Sequence, residues 1–120
     1  MRIYLTRSSV CAADDLEPPH QRELKLPDSD SLEQIIVAVI KSNYLPKISG
    51  GYATWSVTSV IPVAVIAQQW ADPRMLFLLP KDLENLDRKD GVLRLHFNYH
   101  AQIEPETVLN VLRELCLRAI

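Results

Sequence analysis

At 120 residues, with 48% hydrophobic and 23% charged side chains, the chain has the size and apolar content of one ordinary domain, 1–120, and lacks the bias of a disordered segment. A formal charge of −2 and a pI near 5.9 give no general basic footprint for polyphosphate, so a general nucleic-acid binder is disfavoured. No apolar run approaches the ~20 residues of a membrane helix and no signal-peptide pattern opens the chain, which leads us to expect a cytoplasmic protein that makes no membrane contact.

Residues 2–10 read as a first strand, with Ile3 and Leu5 alternating against Tyr4, Thr6 and Ser8. Residues 11–20 carry three carboxylates and two prolines and form a loop. Alternation resumes over 21–26 through Leu24 and Leu26, and the charges of Arg22, Glu23 and Lys25 suit a sheet edge. A helix follows. Asp30 or Ser31 caps it, Glu33 or Gln34 completes a capping box, and Leu32, Ile35, Ile36, Val39 and Ile40 form its apolar stripe. Pro46 sets its latest end, because proline lacks the backbone donor and disfavours helical geometry at Leu45.

The Gly50-Gly51 turn leads to a strand at 52–59, in which Ala53, Trp55 and Val57 alternate with Thr54, Ser56 and Thr58. Residues 61–67 are apolar on both faces and suit a central strand; 75–79 form a fifth, closed by Pro80. A charged connector over 81–90 has room for a helical turn. Residues 91–100 then alternate Leu93, Leu95, Phe97 and Tyr99 with Arg94, His96, Asn98 and His100. A last helix begins near Pro105, with a core stripe of Val108, Leu109, Leu112, Leu115, Cys116 and Ala119.

The order ββα-ββββ-α implies an α+β fold: a two-layer sandwich with a mostly antiparallel sheet of about five to six strands and two helices on one face. The other face would carry the polar rows of 4–8, 54–58 and 94–100, side by side if strand order permits.

Arg94, His96, Asn98 and His100 are the foremost candidate site. His96 and His100 invite a metal reading with His20, Asp14 or Asp15, but four residues of strand separate them by about 13 Å, so they cannot share an ion unless the strand bends, whereas one of them with His20 or the Asp14/Asp15 pair could. No metal and no cofactor are expected. An acid–base site would use His96, His100 and Arg94, pairing a histidine with Ser8 or Thr6, or His20 with Asp14. No nucleophile elbow or zinc signature accompanies them. The two glycines read as a turn, since a phosphate cradle needs a following helix N-terminus. Cys11 and Cys116 match no metal spacing and are expected unpaired, Cys116 as a small core residue.

Trp55 belongs to its strand's apolar set, whereas Trp70 follows two glutamines and suits a half-exposed anchor. Asp14, Asp15 and Glu17 form an acidic prominence able to steer a basic partner. These features favour a non-catalytic protein-binding module, best read as a bacterial inhibitor or toxin-immunity protein that covers a basic toxin domain. Its expected contacts are Asp14, Asp15, Glu17, Trp70, Arg94, His96, Asn98 and His100. The alternatives are a small hydrolase-like enzyme and a homodimer paired through its exposed sheet.

Overall fold

The computed structural model describes residues 1–10, 20–76 and 86–118, with the side chains of 117 and 118 set aside. In chain order the elements are β1 (Arg2–Arg7), β2 (Arg22–Lys25), α1 (Leu32–Lys41), β3 (Thr54–Ser59), β4 (Ile61–Ala67), β5 (Arg74–Met75), β6 (Arg88–Lys89), β7 (Val92–Tyr99) and α2 (Pro105–Arg118). The fold is α+β. Among the described residues, seven strands form one open mixed sheet in the order β2-β1-β7-β3-β4-β5, with β6 beside the start of β7. All pairings are antiparallel except β1 with β7, which run parallel.

Local chemistry explains the elements. The Ser31 side chain accepts from the Gln34 backbone at 3.2 Å, and Gln34 Oε1 accepts from the Ser31 N–H at 2.7 Å. This capping box satisfies two orphan donors and contributes about 1 kcal/mol. The helix ends at Ser42, and Asn43 turns the chain away at φ 59, ahead of Pro46. In β7 the burial of Leu93, Leu95 and Phe97 alternates with exposed or half-buried partners, as the period of two requires.

The main core lies between α1 and one sheet face. Leu32, Ile35, Ile36 and Val39 pack on Ile3, Leu5, Trp55, Val57, Leu93, Leu95 and Phe97. Trp55 is 1% exposed, as its position in the apolar row implies. Register identifies the opposite face: Val57 opposes Phe97 and Ala64, whereas Ser56 opposes Asn98 and Val65. Val65 clusters with Leu76, Val108 and Leu109, so α2 sits on the face away from α1.

The expectation of two helices on one face is therefore corrected: the sheet lies between them. The cause is β4, whose residues 63–67 are all buried, so this strand offers an apolar seat on each side. The helix stripe is corrected in part as well. Val108 and Leu109 are buried, but Leu112 and Cys116 are half-buried and Leu115 is 57% exposed, because α2 seats its first turns on β4. Leu117 and Ala119 fall outside the described side chains.

The strands are shorter than alternation alone implies, with β1 ending at Arg7 and β5 spanning only Arg74–Met75. Residues 77–79, expected in that strand, lie outside the described residues, as do Cys11 and residues 81–85 of the connector. The end of that connector supplies β6, which had no periodic signal.

Candidate functional site

Strand order makes the three polar rows neighbours, because β7 lies between β1 and β3. On the α2 side of the sheet, Tyr4 opposes Arg94, Thr6 opposes His96, His96 opposes Thr58, and Asn98 opposes Ser56. The backbone alone thus sets a polar surface three strands wide.

Hydrogen bonds tie these side chains together. Thr6 Oγ1 and His96 Nδ1 are 2.6 Å apart, bridging residues 90 positions apart in the chain. Asn98 Nδ2 donates to Thr58 Oγ1 at 2.9 Å and, more weakly, to Ser56 Oγ at 3.4 Å. Ser56 Oγ lies 2.7 Å from His100 Nε2. The Ser56 hydroxyl accepts from Asn98 and keeps both a proton and a second lone pair for His100 Nε2, so the histidine tautomer sets the direction of that bond. Burial lowers the pKa of both His96 and His100 below the usual imidazole value, which favours the neutral rings.

Exposure grades along this face. Arg94 is exposed; Tyr4, Thr6, Thr58, His96, Asn98 and His100 are half-buried; Ser56 and Thr54 are buried. The closed end results from the approach to α2: Thr54 Oγ1 donates to the Ile103 carbonyl at 2.7 Å, and the Thr54 N–H donates to the Ala101 carbonyl at 3.0 Å. The open end is bounded by Arg94 and Tyr4.

The Ser56–His100 contact has the reach of a nucleophile–base pair, but Ser56 is 3% exposed and shielded from an incoming substrate. Among the described residues neither His96 nor His100 bonds to a carboxylate of the kind that orients the histidine of a triad. No cluster of three metal-ligating side chains occurs among the described residues.

Of the expected site residues, Arg94, His96, Asn98 and His100 share this surface. Trp70 stands apart, beyond β4. The Arg74 guanidinium covers its ring at 4.2 Å and in turn meets Glu106 of α2 at 2.9 Å, which makes Trp70 a half-buried clasp for that helix. Both tryptophans also line a cleft of about 260 Å³ bordered by Leu45, Pro46, Lys47 and Asp72. Asp14, Asp15 and Glu17 lie outside the described residues.

His20 is held elsewhere, by Ser9 Oγ at 2.9 Å. Its carbonyl accepts from the Tyr44 hydroxyl at 2.5 Å, and burial pushes the Tyr44 pKa up to about 12. The Thr6–His96 pairing is among those the sequence suggested. Ser56–His100 was missed; the signal for it lay in the alternation of residues 54–58, whose register against β7 needs the strand order. Comparison of the chain with protein-family models, curated proteins and solved structures finds no match.

Proposed function

We propose that the chain is a non-catalytic protein-binding module that docks its partner on the open part of the α2-side sheet face. The observation that carries this reading is the continuous polar surface made by Tyr4, Thr6, Arg94, His96, Asn98 and Thr58 in register across three strands. Side chains already fixed by hydrogen bonds lose little freedom when a partner arrives, and a surface of donors and acceptors on rigid strands favours specific recognition. In its narrower form the module is a bacterial inhibitor or immunity protein that neutralises a partner by covering its working site. That narrower form rests on the small size and the absence of a cofactor motif, by analogy of class.

Recovery of a stoichiometric partner under gentle conditions, followed by Tyr4→Ala and His96→Ala variants, tests the reading. Each variant is expected to weaken the complex on the order of tenfold, equivalent to about 1.4 kcal/mol. A partner bound equally well by both variants rejects the face as the docking surface.

A further inference from the structure

The open face is not electrically even. Register places Lys25 opposite Arg2, Arg2 opposite Val92, and Val92 opposite Lys89, so these four residues form one row across β2, β1, β7 and β6. The next row on the same face holds Glu23, Tyr4 and Arg94. At about 4.8 Å per strand the first row spans about 14 Å, with Arg94 one pleat repeat farther along β7. Lys25, Arg2, Lys89 and Arg94 are all exposed, and the second row sets two carboxylates against them, Glu23 and the half-buried Asp87, whose backbone carbonyl accepts from the Arg94 N–H at 2.8 Å. The nearby Met1 ammonium and Asp28 carboxylate, 2.6 Å apart, offset one another. A chain of net charge −2 thus concentrates positive charge at one corner of its open face.

We infer that the partner docked on this face is a protein presenting a cluster of carboxylates to the corner made by Lys25, Arg2, Lys89 and Arg94. The inference rests on the docking reading above and specifies its partner. A second observation supports it: Arg2 already holds a carboxylate, Glu23, at 2.7 Å, with the two side chains 54% and 46% exposed. An ion pair so open to water contributes little, so an incoming carboxylate can replace Glu23 at small cost. Arginine also suits carboxylates through its fork of donors, and opposite charge across an encounter speeds association.

A polyphosphate fits less well. Single-stranded nucleic acid needs stacking surfaces beside its cations, and Tyr4 is the one aromatic ring on these two rows. The overall negative charge further opposes a long polyanion. The sign of the corner also distinguishes the inferred partner from the basic one suggested by Asp14, Asp15 and Glu17.

The test titrates the intact chain into a fluorescein-labelled Glu/Ala peptide and reads anisotropy at low and high salt. The expected result is saturable, salt-sensitive binding that the Lys89→Glu/Arg94→Glu double variant weakens on the order of tenfold. Lys41→Glu, an exposed change on the opposite helix, should leave binding as it was. Circular dichroism confirms that each variant is folded, and Lys25→Glu provides an independent probe of the corner with the same expected direction. Absence of binding, equal weakening by Lys41→Glu, or tighter binding of an oligothymidylate of matched charge overturns the inference. The docking reading fails separately: a recovered partner sensitive to His96→Ala but indifferent to charge reversal keeps the face and removes the acidic partner.

Discussion

The two faces of one sheet solve opposite problems with the same strands. Toward α1, β1, β3 and β7 present Ile3, Leu5, Trp55, Val57, Leu93, Leu95 and Phe97, and dry packing holds that side together. Toward α2 the same strands present Thr6, Ser56, Thr58, His96 and Asn98, held by hydrogen bonds and, among the described residues, covered by α2 near β4. Packing energy is large and indifferent to pH; the polar face contributes less but is sensitive to protonation and can be rearranged by a partner. Packing stability thus resides on the α1 side of the sheet.

The largest effect should come from emptying the packed side. Phe97→Ala removes a fully buried ring that meets Tyr44 edge-on at 5.9 Å, and should lower unfolding free energy by about 3–5 kcal/mol in urea titrations. A loss no greater than that of a surface change would show that the α1 side does not dominate. On the polar side, Ser56→Ala strips the shared partner of His100 and Asn98 and should cost about 1–3 kcal/mol by the same measurement.

Acid should discriminate between the faces next. His96 and His100 have folded pKa values below the unfolded value near 6.5, so below that pH the unfolded chain binds more protons than the folded one. Their contribution is complete above about pH 6.5 and is lost as pH falls toward their depressed folded values. Comparing urea midpoints at neutral and mildly acidic pH, wild type should lose stability, and a His96→Gln/His100→Gln variant should lose less. Equal losses would remove the histidines from the account. Smallest of all, Arg94→Ala should change stability by no more than about 0.5 kcal/mol while weakening the complex, since the guanidinium is exposed.

Alternation in residues 92–99 was enough to assign both faces of β7, and a capping box at Asp30 or Ser31 and the α1 stripe could be read directly, because these signals are local; the structure selects Ser31 with Gln34. Amphipathicity told that α2 has a buried stripe but not which side of the sheet receives it. Strand direction has no sequence period, so the parallel union of β1 with β7 was hidden. The basic corner was hidden for the same reason: Arg2, Lys25 and Lys89 become neighbours only through that union and through β6, too short to show a period. His96 and its row were identified as a set, whereas their hydroxyl partners depended on register.

The parallel pairing of β1 with β7 also bears on the order in which the chain can assemble. At about 5–20 residues per second, the 90 positions between Thr6 and His96 correspond to roughly 5 to 20 seconds of synthesis. During that interval β1 can form its hairpin with β2, but its other hydrogen-bonding edge waits for β7. The strand that bears the polar row is also the one that joins the sheet, so β1 and β3 become parts of one sheet only when β7 is inserted between them.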